Sequence, residues 1–132
     1  MNAFLVDLEN KPGALATIAE GIAAKGVNIT GVSGTSFDRG GRVAITTSDE
    51  ATTRTALQQL NTPFKEYELT EVSLRDEPGS LGKAARRLAQ AGVNIEAIMP
   101  TGMSGSEIKV AFVTNDAVKA REALGTVASS VR

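Results

Sequence analysis

The chain has 132 residues, a net charge of −1, 42% hydrophobic residues, no cysteine and no histidine. The near-neutral balance argues against nucleic acid and anionic membrane as partners. Without cysteine or histidine there are no disulfides, thiolate nucleophiles, imidazole bases, or metal sites built on those ligands.

Residues 3–8, "AFLVDL", are short, apolar and bounded by "ENKPG", which predicts a first strand. Pro12 follows where a helix is expected to begin, since its fixed φ suits a first turn. Leu15, Ile18, Ala19 and Ile22 then recur at three- and four-residue spacing and predict one apolar helix face. Gly26 is placed at the left-handed cap that ends this helix. "VNITGVSGTSF" and "RVAITTS" read as two strands joined by a turn at "DRGG". Asp49 is positioned to cap a second helix running through Leu60, with Ala51, Leu57 and Leu60 facing inward. "TPFKEY" reads as a short fourth strand. The order is β-α-β-β-α-β.

The same order then starts again. "LTEVSL" is a strand, and "RDEPG" leads into a helix from about Ser80 to Ala91 that stops at Gly92. "VNIEAIMPTG" and "EIKVAFVT" are strands, with one more residue in this hairpin than in the first. Asp116 starts the last helix, with Val118, Ala120 and Leu124 available for its inner side. The closing "TVASSVR" is weakly patterned, so the second unit is expected to lack its last strand or to fray it. Such a gap leaves a sheet edge open unless another segment or chain covers it. Gly34 and Pro100 interrupt the two second strands at matching places, which points to an edge strand or a bulge there.

The repeat is explicit in the residues. "KPGALATIAEGIAAKGVNI" begins at Lys11 and "EPGSLGKAARRLAQAGVNI" at Glu77. Two units are therefore expected, 1–67 and 68–132, each an antiparallel sheet with two helices on one face. This is an α+β, ferredoxin-like architecture. An RNA-binding version needs stacking aromatics on its middle strands, and the third strands offer only Phe112. A copper-carrying version needs cysteines.

A first strand, then "NKPGAL" or "DEPGSL", then a helix ending in "GVNI", resembles the ACT domain family, in two tandem copies covering nearly the whole chain. The first copy departs at Asn10, where the second has Asp76. Many ACT domains are regulatory modules that bind amino acids between two such domains. The resemblance therefore implies a non-catalytic sensor of a small amino acid or related metabolite, with both ACT partners available in one chain. It implies ligand contacts from Asn10, Lys11, Pro12, Gly13, Ala14, Leu15, Asn28 and Ile29 in the first copy. In the second copy it implies Asp76, Glu77, Pro78, Gly79, Ser80, Leu81, Asn94 and Ile95.

The loop chemistry agrees with that use. A ligand carboxylate seeks N–H donors, and a helix N-terminus presents several with a favourable dipole. A ligand ammonium seeks oxygen acceptors, which Asn28, Asn94, Asn10 and Asp76 carry. Gly13 and Gly79, having no Cβ, allow close approach to the backbone.

Structural readings stand beside these. Pro12-Gly13 and Pro78-Gly79 also serve as helix starts, Gly26 and Gly92 as caps, and Asn28 and Asn94 as turn residues. Leu15 and Leu81 are expected in the core. Lys83, Arg86 and Arg87 read as a solvated helix face, and Met99 and Met103 as packing. The alternative function is a dimerisation or partner-docking module without a working ligand site. No nucleophile, base and orienting group come together in the sequence, so no enzyme activity and no cofactor is expected. A homodimer or another protein is the partner expected besides the ligand, with no nucleic acid and no membrane. The expected location is cytoplasmic.

Overall fold

A computed structural model of the chain describes residues 1–125. The expectation of a missing or frayed last strand at 126–132 lies outside the described residues. The chain divides into two compact units, the first comprising Met1–Glu66 and the second beginning at Tyr67.

The first unit contains β1 (Asn2–Glu9), α1 (Ala14–Ala23), β2 (Ile29–Phe37), β3 (Gly40–Thr47) and α2 (Glu50–Gln59), then the start of β4 (Phe64–Arg75). The second contains the rest of β4, then α3 (Ser80–Gln90), β5 (Ile95–Ser104), β6 (Glu107–Thr114) and α4 (Ala117–Leu124). Tandem ferredoxin-like units with antiparallel strands are thus present. The two strands expected at "TPFKEY" and "LTEVSL" are one continuous β4. No glycine, proline or turn-forming pair lies between Phe64 and Arg75, so nothing in the sequence ends the first before the second begins.

Within the first unit β3 lies between β2 and β1, antiparallel to both. The Asp7 N–H donates to the Pro63 carbonyl at 3.0 Å, which brings the chain entering β4 alongside β1. Within the second unit β6 lies between β5 and β4, again antiparallel to both. The expectation for the interrupted strands holds. Among the described residues both β2 and β5 flank only one strand of their own unit, and both carry an irregularity early in the strand, at Ile29/Gly31 and Ile95/Ala97. A second bulge, between Pro100 and Gly102, takes up the extra residue of the second hairpin at Thr101.

Each unit has its own core. Phe4, Val6, Val43 and Ile45 from the strands meet Ile18, Ile22, Ala56 and Leu57 from the helices. In the second unit Val72, Leu74, Val110 and Phe112 meet Ala84, Leu88, Ala120 and Leu124. The Phe4 and Phe64 rings add a tilted contact with centroids 5.9 Å apart.

The helix caps follow the sequence. Asp49 accepts from the Thr52 N–H and Asp116 from the Lys119 N–H, both at 3.0 Å. The Thr52 hydroxyl also donates to Asp49, and this bond, with the Thr52 N–H, holds the Asp49 carboxyl below its usual range. The inner faces differ in detail. Ala51 and Val118 are exposed, not inward-facing, and Thr53 is fully buried in place of an apolar residue. Its hydroxyl is satisfied by Thr47 Oγ1 and the Asp49 carbonyl, both at 2.7 Å, so burial leaves no polar atom unpaired.

The second unit shows what happens without that partner. Thr114 stands where Thr47 does, but Ala120 replaces Thr53, and the Thr114 hydroxyl is buried without a hydrogen bond among the described residues. Thr114→Val is therefore expected to raise stability by up to about 1 kcal/mol, because it removes an unpaired buried hydroxyl. Thr47→Val is expected to lower stability by about 1 kcal/mol, because it breaks a made bond. Urea denaturation of both variants reads the opposite signs.

Near the end of the first unit, Arg54 grips Glu66 through two bonds of 2.7 and 2.8 Å, and the Asn2 amide donates to the same carboxylate at 2.7 Å. The Arg54 bonds hold the Glu66 carboxyl below its usual value of 4.5. A carboxyl lowered on folding stabilises fully above its unfolded pKa and loses that contribution as pH falls through the folded one. Glu66→Gln is thus expected to unfold more easily than the parent at pH 7. The difference should close as pH drops below about 4, as followed by thermal midpoints across pH.

Candidate functional site

The two loops between first strand and first helix are built alike. In each, a glycine precedes the helix in the left-handed conformation, Gly13 at φ 87° and Gly79 at φ 93°. Such φ values favour glycine over residues with a Cβ. Space does not enforce the choice, since a Cβ at either position would meet nothing within 4 Å. Neither helix start carries a side-chain cap. The first N–H of each helix, on Ala14 and on Ser80, donates instead to the Lys11 carbonyl at 3.4 Å and to the Glu77 carbonyl at 3.3 Å. Pro12 and Pro78 lie one residue before these glycines and outside the helices, not in the first turn as the sequence had implied. Gly26 and Gly92, at φ 75° and 73°, sit just past the helix ends as expected.

Each loop is pinned to the neighbouring hairpin. The Asn10 N–H donates to the Arg39 carbonyl at 2.8 Å, and the Asp76 N–H to the Ser106 carbonyl at 2.7 Å. The Asn10 side-chain amide also donates to the Asp38 carbonyl at 3.0 Å, which leaves its oxygen as the acceptor. Lys11 pairs with Glu9 at 3.0 Å, both exposed.

In the first unit Asn10, Lys11, Ala14 and Leu15 border an open hollow of about 360 Å³, closed on its other side by residues of β2 and β3 such as Val32, Thr35 and Arg42. In the second unit Glu77, Gly79 and Ser80 border a hollow of about 780 Å³ along α3. Leu15 and Leu81 are not core residues. They are 48% and 49% exposed. The buried stripe of α1 is Ile18 and Ile22, and that of α3 is Ala84 and Leu88, so the leucine of each first turn stands outside it.

Asn28 and Asn94 are placed elsewhere. Each follows the far end of its helix, and ten helical residues span about 15 Å. They border neither loop hollow of their own unit. The Asn28 N–H donates to Ser48 Oγ at 3.0 Å and the Asn94 N–H to Asn115 Oδ1 at 2.9 Å, so both turns are fixed the same way through different side chains. The Asn28 side chain makes no hydrogen bond among the described residues, while the Asn94 amide donates to Glu96 at 3.0 Å. Ile29 and Ile95 follow as the first residues of β2 and β5, half-buried. Sequence reasoning missed the part played by Ser48 and Asn115. Their shared signal was a polar residue directly before each helix-capping aspartate.

Among the described residues no group of acidic side chains could hold a metal ion, and no helix is long and apolar enough to cross a membrane.

The sequence profile of the ACT domain matches residues 3–62. The first unit is an ACT domain. The second unit repeats its element order, its loop and its caps, giving a tandem ferredoxin-like arrangement. Solved structures of this fold run along both units. A protein from Bacteroides thetaiotaomicron is 22% identical at a TM-score of 0.77, covering 98% of this chain and 88% of that one. The regulatory subunit of aspartate kinase from Thermus thermophilus, in its ligand-free form, is 19% identical at 0.65, covering 95% and 89%. The corresponding subunit from Thermus flavus is 19% identical at 0.66, covering 95% and 90%. At these identities the likeness is one of fold. No curated protein matches the chain in sequence.

Proposed function

We propose that this ACT protein is a non-catalytic regulator that binds a small amino acid at its loop and helix-start sites. The ligand carboxylate lies on the N–H groups of Leu15 and Ala16, or of Leu81 and Gly82, since those of Ala14 and Ser80 are taken by the Lys11 and Glu77 carbonyls. Its ammonium is met by the Gly-Val-Asn-Ile turn of another ACT unit, in this chain or in a second copy. One observation carries this reading: α1 holds Gly13 and Asn28 at its opposite ends. A ligand of a few ångströms cannot touch both within one unit, so the loop and the asparagine serve one site only when two units supply them. A related fold named as the regulatory subunit of aspartate kinase supports a regulatory role by analogy. The ligand acts on any partner only through its difference in affinity between two states of this protein.

Thermal unfolding against each common amino acid tests this. A ligand at a hundred times its dissociation constant stabilises by about 2.7 kcal/mol, a midpoint shift of roughly 5–10 °C for a chain of this size unfolding as one. A shift with one or two amino acids supports the sensor, and no shift with any of them refutes it.

A second reading, docking without a ligand, is favoured by the exposure of Leu15 and Leu81. Under that reading Leu15→Asp or Leu81→Asp lowers the mass seen by light scattering while every amino acid leaves the midpoint unchanged.

A further inference from the structure

The hollow along α3 is lined by Arg75, Lys83, Arg86 and Arg87, with Glu77 and Glu107 also on its wall. Lys83, Arg86 and Arg87 fall at helix spacing that places them on one face. Arg75, the last residue of β4, adds a cation from the sheet side. Arg54 and Arg121 each hold a carboxylate, at 2.7 and 2.9 Å. None of the four cations around the hollow makes an ion pair or side-chain hydrogen bond among the described residues. Like charges three and four residues apart on a helix repel and cost stability.

The first copy shows that the fold does not require this charge. At the positions of Arg75, Lys83, Arg86 and Arg87 it has Glu9, Thr17, Glu20 and Gly21. At the positions of Glu77 and Glu107 it has Lys11 and Gly40. One copy therefore has two more cations than carboxylates around its helix, and the other has one more carboxylate than cations. The expectation that Lys83, Arg86 and Arg87 form only a solvated face does not account for their convergence on one hollow with Arg75.

We propose that the α3 hollow binds a small oxyanionic ligand carrying two or more negative charges, a phosphate ester or a dicarboxylate. This rests on the sensor reading but puts an anionic metabolite in place of the amino acid in the second copy, since Gly79, Ser80 and Gly82 line the same hollow at the helix N-terminus. Arginine forks match phosphate and carboxylate oxygens two at a time, and a single charge would leave the cation excess unanswered. The volume suits a small molecule.

Titration calorimetry of the full chain at low salt is the test, with pyrophosphate, succinate and acetate as probes. Saturable binding of pyrophosphate or succinate at least tenfold tighter than acetate is expected, weakening as potassium chloride is raised. Tighter pyrophosphate identifies a phosphate ester, and tighter succinate a dicarboxylate. Arg86→Gln with Arg87→Gln should lose at least tenfold in affinity, while Glu20→Gln in the first copy changes nothing. The ligand-free midpoint of the double variant checks its fold, and Lys83→Gln, altering an exposed residue, gives the same reading if the double variant fails that check. Absent saturation with both probes, or affinity unchanged in these variants, overturns the proposal. So does a single-stranded oligonucleotide that outcompetes pyrophosphate through the same residues. Midpoint shifts with neutral amino acids are independent of these probes, so failure here and failure of the sensor reading are told apart.

Discussion

Phe112→Ala is expected to lower the stability of the second unit by about 3–5 kcal/mol. Phe112 is fully buried on β6 and packs in the cluster that joins Leu74 and Val110 to Leu88 and Leu124. Truncation removes the ring's burial and leaves a cavity that surrounding side chains fill only in part. A unit of some 65 residues buries a modest share of its surface, so its reserve is of the same order as this loss. Urea denaturation followed by circular dichroism should show the second unit mostly unfolded, or at a far lower midpoint. The first copy has Ile45 at the matching position, so Phe112→Ile is expected to be much milder. An unchanged midpoint in Phe112→Ala would mean the β6 core is not packed as described.

The second large effect concerns binding. Asn28→Ala or Asn94→Ala is expected to weaken the amino-acid ligand by about 1.5–3 kcal/mol, the range for a hydrogen bond to a charged group. That is roughly a ten- to hundredfold rise in Kd. Ligand-free stability should barely change. Among the described residues, Asn28 spends its side chain on no protein group, and Asn94 spends its amide only on exposed Glu96. The backbone bonds that fix these turns survive the substitution. Calorimetry with the amino acid found by thermal screening reads the loss, and the variant that shows it identifies the turn in use. If neither variant weakens binding, the asparagines are turn residues alone.

Much of this was legible because the signals were local. Asp49 and Asp116 announced helix starts, Pro100 announced a bulge, and the repeated Pro-Gly loops announced one unit used twice. What escaped the sequence depended on three-dimensional partners. Leucine at position 15 or 81 fits a helical apolar period, but the period does not say where the core ends, and these first turns stand beyond it. Burial of Thr53 depends on Thr47 and on the Asp49 carbonyl meeting its hydroxyl, which no local signal announces. The two strands fused in β4 looked separate because each unit was read on its own. The loop and the asparagine were read as neighbours because the family motif contains both, although one helix length separates them.

Amide-resolved nuclear magnetic resonance of the labelled full chain tests the central claim most directly, with the amino acid that shifts the thermal midpoint titrated in. Binding as proposed predicts saturable shifts in the amides of residues 13–16 or 79–82, together with the side-chain amide of Asn28 or Asn94. Shifts confined to other surfaces, or none at saturating ligand, would contradict it.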